Sequence, residues 1–343
     1  MATSREIVAD AFAHKKSERI PAGVCLGGSW PFFIEGVTLE ELLEQPPTVA
    51  AAFYRVMERV DADFVTVGAG ATALLIEALG GEIKFISNGA PEISSLLIAS
   101  ETDIDALNIS KALKSERMAW LREVARETVR LNQGRRSIFV SGRAPFTLAG
   151  QLLGLETLSK SLYKNKALVE KLLAFTTDLS VAYYEFMLEV DGIDGIFIAD
   201  PSASGDVVSS RHFEAAVIPH ITEVLRRLAP HGKLSLLHIC GDITDRLHLL
   251  EQTGIQMVSV DSKVNLAEAK RILNGKVGLS GNANPVFVIE ELTAAEVYAE
   301  ARKCIDAAAF NGGFMLLPGC DLSAKASEEN VRAFVRAAHE WRC

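Results

Sequence analysis

Residues 234–241 read LSLLHICG, a continuous apolar run that ends at a glycine. Such a run is typical of a strand that is buried on both faces, as in a parallel sheet. Seven further runs of this character recur along the chain, and each is followed by a longer segment with helical spacing. In chain order, the eight runs are AGVCL from Ala22, FVTVG from Phe64, SIFVSG from Ser137, GIFIAD from Gly195, LSLLHICG from Leu234, MVSVDS from Met257, VGLSGN from Val277 and FMLLPGC from Phe314.

The segments between the runs carry helix signals. Residues 48–60 and 166–190 keep apolar residues three and four apart, and Thr293 with Glu296 forms a capping-box pattern. Eight strands alternating with helices predict a TIM (β/α)8 barrel, formed as a single domain over residues 1–343. A doubly wound open sheet is the alternative, but no Gly-rich dinucleotide loop follows a strand.

Two additions to the barrel are expected. Residues 1–20 are predicted to form an N-terminal helical extension that precedes the first strand. The segment GEIKFISNG at residues 81–89 is predicted to form a small β-hairpin insertion.

Composition excludes several classes of function. The 343 residues are 49% hydrophobic and 23% charged, and the net charge of −9 is spread along the chain. A nucleic-acid-binding protein is therefore not expected, and no apolar segment approaches the length of a membrane span. The five cysteines are an odd number, and the N-terminus does not resemble an export signal. A cytoplasmic protein with reduced thiols is the expectation.

Three metal-ligand side chains fall at predicted strand ends. His238 and Cys240 are two residues apart, so their side chains point to the same face of a strand, and Cys320 ends the eighth run. Function in a TIM barrel sits at the carboxyl ends of the strands. Three protein ligands with an open fourth position describe a catalytic zinc site, and thiolates with imidazole favour zinc over hard ions.

Other interpretations of the cysteines remain open. A Cys–His nucleophile pair using Cys240 or Cys320 is one alternative, and ordinary burial is another. Cys304 falls within a helix pattern, Cys25 has no evident partner, and Cys343 ends the chain, so none of these three is expected to bind metal.

Four stretches together resemble the uroporphyrinogen decarboxylase superfamily. They are RIP from Arg19, PFTLAGQLLG from Pro145, HICGD from His238 and the cysteine of LLPGCDL. The sequence is more similar to the zinc-dependent corrinoid methyltransferase branch, which implies a TIM barrel. The metal-free decarboxylases are the competing interpretation. The resemblance to them implies arginines just after the first strand, whereas this chain has none between Arg19 and Arg55.

The resemblance implies methyl transfer between the cobalt of a corrinoid and a zinc-bound small substrate. The substrate would be a methoxyaromatic methyl donor, as in O-demethylation, or a thiol acceptor such as coenzyme M. The chain has no Asp-x-His-x-x-Gly segment to supply the lower cobalt ligand, so the corrinoid (cobalamin) is expected on a separate protein partner. A non-catalytic barrel that binds zinc or a thiol is a further alternative, and a homodimer is left open.

Three acidic residues are candidate catalytic groups. Asp200 and Asp261 end strand runs, and Glu77 lies in LLIEALGG. We expect them to contact substrate or to occupy the open metal position at rest. The alternatives are turn chemistry for the aspartates and a solvated helix face for Glu77.

Four further residues are candidate substrate contacts. Trp30 and Phe33 suit an aromatic ligand, Arg143 suits a sulfonate, and Asn282 is a hydrogen-bonding candidate. The alternative for the aromatic residues is a loop packed onto the top of the barrel. Residues 29–46 are the predicted moving loop over the site.

Overall fold

The structure, a computed structural model, describes residues 2–24, 30–43, 45–68, 71–86 and 91–342. The strands are β1 Phe64–Val67, β2 Ile83–Lys84, β3 Glu92–Ile93, β4 Ser137–Arg143, β5 Gly195–Ala199, β6 Leu234–Ile239, β7 Met257–Val260, β8 Gly278–Ala283 and β9 Phe314–Pro318. The helices are α1 Ser4–Phe12, α2 Trp30–Glu35, α3 Leu39–Leu42, α4 Pro46–Arg59, α5 Ala71–Ala78, α6 Glu101–Ala106, α7 Ile109–Leu113, α8 Glu116–Asn132, α9 Pro145–Leu153, α10 Leu155–Lys164, α11 Lys166–Leu188, α12 Ser210–Ala216, α13 Ile218–Leu228, α14 Leu266–Leu273, α15 Ala294–Ala308 and α16 Glu328–His339.

The main sheet is a curled parallel sheet that closes into a TIM-like barrel. Its order is β1-β4-β5-β6-β7-β8-β9, so each strand pairs with the next strand of the sheet along the chain. Ala22 forms a parallel bridge with Leu316 of β9, and its carbonyl oxygen accepts a hydrogen bond of 2.8 Å from Asp63 N just before β1. The described residues of the first predicted strand, 22–24, therefore lie between β9 and β1, and the barrel prediction is confirmed.

Helix α1 packs against the amino-terminal end of the barrel. Val8, Ala11 and Phe12 belong to one buried cluster with side chains from the barrel strands, and the rings of Phe12 and Phe139 lie 5.6 Å apart between centroids. The helix is shorter than the predicted extension over residues 1–20. It ends at Phe12 because His14 takes a positive φ of 55°, and the Lys15 N–H then bonds back to the Asp10 carbonyl.

The predicted hairpin is present in a shifted form. Ile83 and Lys84 pair antiparallel with Ile93 and Glu92, so the second strand lies beyond the predicted segment. The hairpin forms part of the connection between β1 and β4, outside the barrel wall.

Local capping explains where several outer helices begin. The Thr293 side chain accepts from Glu296 N, and the Glu296 carboxylate bonds back to Thr293 N, which confirms the predicted capping box of α15. Ser327 caps α16 in the same manner by accepting from Asn330 N. Among the described residues, no helix is both long enough and apolar enough to cross a membrane.

Candidate metal centre

The three predicted ligands come together at the carboxyl ends of β6 and β9. The Nε2 atom of His238 lies 3.3 Å from the Cys240 Sγ atom, which lies 3.7 Å from the Cys320 Sγ atom. All three ligand atoms lie within 4.8 Å of one another. A tetrahedral zinc with normal bond lengths separates its ligand atoms by about 3.5–3.8 Å. The spacing therefore fits one face of such a coordination sphere.

We call the opening at the carboxyl ends of the strands the barrel mouth. Two glycines turn the backbone next to the cysteines at this opening. Gly241 follows Cys240 with a φ of +73°, and a Cβ atom there would lie 2.6 Å from the Asp206 Oδ2 atom. Gly319 precedes Cys320, and a Cβ atom there would lie 2.6 Å from Ser262 N. A larger residue at either position would displace a ligand or its supporting loop.

The imidazole of His238 is held by the neighbouring strand. Its Nδ1 atom lies 3.1 Å from the Oγ atom of Ser259, which is fully buried, and its ring stacks on Phe197 at 6.3 Å. A hydrogen bond at Nδ1 fixes the tautomer that presents a lone pair from Nε2. The sequence interpretation missed Ser259. Its place opposite His238 depends on the register between β6 and β7, which the sequence alone does not give.

Asp261 and Asn282 shape the loops around the ligands. The Asp261 Oδ2 atom accepts a hydrogen bond of 2.9 Å from Gly241 N, which follows Cys240. The Asn282 Nδ2 atom donates to the carbonyl oxygens of Asp261 and Val264, at 2.9 and 2.6 Å. Both predicted residues thus lie next to the centre, with these polar atoms engaged by the protein.

The two thiols influence each other strongly. The hydrogen bond with Cys240, opposed by burial and assisted by His238, lowers the pKa of Cys320 to about 4. The pKa of Cys240 is raised, first by its hydrogen bond with Cys320 and then by burial.

Asp200 lies beside this centre at the end of β5. Its backbone N–H donates to the His238 carbonyl at 2.8 Å, and its Oδ1 atom accepts from Thr147 N and Oγ1 at 3.0 and 2.6 Å. Its Oδ2 atom is buried and has no partner in the described part of the chain. Burial raises the pKa of Asp200 to about 7, although Thr147 and Arg143 oppose that change.

Glu77 is engaged elsewhere. Its carboxylate forms an ion pair with Arg117 of α8, with an Nε–Oε2 distance of 2.6 Å, and both side chains are half-buried. It is not part of the three-residue ligand cluster found among the described residues. Its predicted role as a resting ligand would require this ion pair to open.

The aromatic residues near the mouth differ in exposure. Trp30 is fully buried, and its Nε1 atom donates to the Ala326 carbonyl at 2.9 Å, whereas Phe33 is partly exposed. Phe32 packs edge-on against Phe53. The described part of the predicted loop contains the short helices α2 and α3, and Glu35 at the end of α2 is ion-paired with arginines of α4. These contacts favour the packing alternative for Trp30.

The remaining cysteines do not join the cluster where they can be placed. Cys304 lies in α15 as a free, partly buried thiol. Cys25 and Cys343 lie outside the described residues.

The chain is similar to known proteins over most of its length. The uroporphyrinogen decarboxylase (URO-D) family model matches residues 3–341. The chain is 28% identical over 322 residues to the methylcobamide:CoM methyltransferase MtaA of Methanosarcina barkeri, covering 92% of this chain and 88% of that protein. It is 29% identical over 198 residues to the methylcobamide:CoM methyltransferase MtbA of Methanosarcina mazei. That alignment covers 58% of this chain and 56% of the relative's length.

A solved structure shares the whole fold. A methyltransferase from Methanosarcina mazei superposes with a TM-score of 0.89 at 22% identity, and the match covers 99% of both chains. At that identity, the likeness is one of fold alone.

Proposed function

The chain belongs to the uroporphyrinogen decarboxylase family, and from that premise we propose that it is a zinc-dependent methyltransferase. It moves a methyl group from the cobalt of a corrinoid, carried by a separate protein, to a small thiol. The observation that carries this proposal is the convergence of one imidazole and two sulfur atoms within 4.8 Å at the mouth of the barrel. Relatives that align to this chain are named methylcobamide:CoM methyltransferases.

The donor set is suited to zinc. His238, Cys240 and Cys320 offer one nitrogen and two sulfurs, and hard ions prefer oxygen ligands. Three protein ligands leave a tetrahedral ion one position for a substrate. When bound there, zinc supplies a Lewis acid that lowers the pKa of a coordinated thiol and keeps it as a nucleophilic thiolate at neutral pH.

The chain's own residues prepare this position. Ser259 orients the imidazole of His238, and Asp261 holds the turn after Cys240 through Gly241 N. The barrel interior below the ligands is apolar, with Phe197 and Ala199 both buried. That interior keeps water away from one side of the reacting sulfur, which strengthens the electrostatic interactions there.

Methyl transfer to a thiol is preferred over demethylation of an aryl methyl ether. The ether prediction relied on aromatic contacts at the mouth, and Trp30 has its indole buried and its N–H bonded to Ala326. The decarboxylase alternative has less support than either, because the region between Arg19 and Arg55 lacks arginines for a polycarboxylate. A thiol needs only the open metal position.

A partner protein would bring the corrinoid to the mouth. Apolar side chains are exposed in two segments that follow barrel strands. Phe287, which is 67% exposed, and Val286 follow β8, and Val207 follows β5. Exposed apolar residues around a polar site are typical of a docking surface.

The proposal is tested with metal analysis and a methyl-transfer assay. We expect the purified protein to hold about one zinc per chain and to demethylate methylcobalamin when a thiol is added. His238→Ala should lose both the bound zinc and the demethylation of methylcobalamin, because only two of the three proposed ligands remain. His220→Ala is the matched control, since that imidazole bonds to Thr177 on the outer helices.

Two outcomes would overturn the proposal. Equal and low zinc content in the wild type and His238→Ala would remove the metal centre. Zinc and thiol binding without any methyl loss from methylcobalamin or a corrinoid protein would instead support the non-catalytic barrel.

A further inference from the structure

A cavity of about 250 Å³ lies in the outer helical layer, between α11 on one side and α12 with α13 on the other. Three buried apolar side chains, Leu162, Val169 and Leu173, belong to its wall. None of the three candidate metal ligands lines it. An apolar cavity of about 150 Å³ is large enough to bind benzene. The outer cavity therefore has room for a small organic molecule.

Two side-chain contacts fix the length and direction of the cavity. Just before α11 begins, the ring of Tyr163 lies edge-on to the His212 ring of α12, with 4.4 Å between the centroids. Farther along α11, the Oγ1 atom of Thr177 lies 2.8 Å from the Nδ1 atom of His220 in α13. The cavity-lining part of α11, residues 166–173, lies between these contacts. That part of the helix is about 10 Å long, so the cavity is elongated along α11.

The end of the cavity at the start of α11 is basic. Lys166 of α11 and Arg211 of α12 line it, both are exposed, and neither forms an ion pair with a described residue. Among the described residues that line the cavity, only Glu170 is acidic. The chain as a whole has a net charge of −9, so two unpaired cations beside one cavity run against its overall charge. Such cations bind carboxylates through charge-assisted hydrogen bonds.

The other end of the cavity presents a hydrogen-bond acceptor. The Thr177 hydroxyl donates its single hydrogen to the Leu173 carbonyl at 2.7 Å, so its oxygen accepts from Nδ1–H of His220. Burial lowers the pKa of His220, which favours the neutral ring. In this tautomer the Nε2 atom carries a lone pair, and it has no partner in the described part of the chain. Because His220 lines the cavity, this atom is available to a donor on a ligand.

We propose that this cavity is a binding site for a medium-chain carboxylate with a hydroxyl group at its far end. The carboxylate lies between Lys166 and Arg211, and the hydrocarbon chain packs along the apolar wall. The hydroxyl group donates to the Nε2 atom of His220. An extended chain of about eight carbon atoms covers a length of about 10 Å. The site is separate from the candidate metal centre and goes beyond the proposed methyl transfer.

Three probes of equal chain length test the site by calorimetric titration of the zinc-loaded protein. They are 8-hydroxyoctanoate, octanoate, which lacks the hydroxyl group, and octan-1-ol, which lacks the carboxylate. We expect saturable binding in which 8-hydroxyoctanoate is about 3- to 10-fold tighter than octanoate, and octan-1-ol is about 10-fold weaker than octanoate. His220→Phe keeps a ring and removes the acceptor, so the two acids should then bind equally. A preference for 8-hydroxyoctanoate that persists in His220→Phe would overturn the hydroxyl contact.

The carboxylate contact is tested by removing two positive charges. Lys166→Ala combined with Arg211→Ala should weaken octanoate binding by about 10- to 100-fold and leave octan-1-ol binding unchanged. The matched control is Lys171→Ala combined with Arg227→Ala, which removes the same charge from α11 and α13. Lys171 and Arg227 each pair with an aspartate and do not line the cavity, so octanoate binding should stay as in the wild type. Equal losses of octanoate affinity in the two double variants would overturn the carboxylate contact.

A second pair of variants locates the bound molecule. Ala215 lies in the wall of the cavity and is exposed, so Ala215→Trp should fill the cavity and abolish binding of both acids. Ala174→Trp places the same ring at an exposed position of α11 outside the wall, and its binding should match that of the wild type. Unchanged binding in Ala215→Trp, or octan-1-ol binding as tightly as octanoate in the wild type, would overturn the proposal. Neither outcome depends on methyl transfer.

Discussion

Each end of the barrel holds a histidine, which is buried at the carboxyl end and half-buried at the amino end, and the two imidazoles are used in opposite ways. At the carboxyl end, His238 has Nδ1 bonded to Ser259 and directs Nε2 at two sulfurs. At the amino end, His339 of α16 has both ring nitrogens bonded to carboxylates, Asp61 at 3.3 Å and Asp63 at 2.9 Å. One imidazole keeps a nitrogen available for a ligand, whereas the other is saturated by the protein.

The surroundings of the two histidines repeat this difference. Asp63 is fully buried, and it also accepts from the Arg19 guanidinium group and from Ala22 N at 2.8 Å. These bonds join the segment before the first strand, the start of β1 and the C-terminal helix. At the other end, Arg143 and Asp200 each keep a buried polar atom without a described partner. The polar groups of the amino-end network are paired with one another, whereas these two polar atoms at the carboxyl end are unpaired among the described residues.

Among the variants that test this comparison, Cys320→Ala should show the largest change, a loss of zinc affinity at the carboxyl end. Removal of a ligand should weaken zinc binding by more than about 100-fold, since loss of an outer partner alone costs 10- to 100-fold. The unfolding midpoint of the metal-free protein should change little. Zinc titration with a competing chelator measures the loss, and Cys304→Ala serves as the matched control. Retained zinc affinity would show that Cys320 is not a ligand.

Asp63→Ala should lower the stability of the protein and leave its zinc affinity unchanged, which is the converse of the effect of Cys320→Ala. It leaves the Arg19 guanidinium group and the His339 ring without their buried partner, which costs about 3–5 kcal/mol of unfolding free energy. Urea unfolding measures this change, and zinc affinity should stay close to that of the wild type. Asp61→Ala is the control: its side chain is 70% exposed, so about 1 kcal/mol or less is expected. If the two variants were equally stable, the amino-end network would not support the barrel.

Ser259→Ala tests how the imidazole of His238 is oriented. The loss of the Nδ1 partner should weaken zinc binding by about 10- to 100-fold, with His238 still in place. Ser280→Ala removes another fully buried hydroxyl group, one that bonds to the Val258 carbonyl, and should leave zinc affinity unchanged. Equal affinities in the two variants would argue against a role for Ser259.

The smallest expected effect is on pH dependence at the amino end. Burial by itself lowers the pKa of His339, but hydrogen bonds to Asp61 and Asp63 raise it above its usual value. A raised folded-state pKa gives stability that is complete below the unfolded pKa and is lost as pH rises through the folded value. The nearby charges on Arg19 and Arg136 stay fixed over that range.

The difference in unfolding free energy between the wild type and His339→Gln should therefore be larger at pH 5.5 than at pH 9. Parallel urea titrations at the two pH values measure it. A difference that is equal at both pH values, or larger at pH 9, would mean that His339 is not stabilised as the imidazolium.

The contrast between the two ends also explains which residues the sequence pointed to. The convergence of the three candidate metal ligands was predictable because strand periodicity places His238 and Cys240 on one face and Cys320 at another strand end. The saturated network was not predicted, because Arg19, Asp63 and His339 lie in different segments and each has an ordinary local pattern. The sequence interpretation named Trp30 as a substrate contact. The structure shows that its indole N–H donates to the carbonyl oxygen of Ala326, a contact that the local sequence does not reveal.

By itself, the sequence determined the alternation of apolar runs and amphipathic helices, the helix caps and the types of side chain that are candidate metal ligands. These features depend on periodicity and side-chain chemistry within a few residues. Only the tertiary structure decided which polar groups neutralise each other and which remain open. Glu77 is paired with Arg117, while the Arg143 Nε atom has no partner among the described residues. The physical reason is that hydrogen bonds and ion pairs require contact, and closure of the barrel sets the contacts between distant segments.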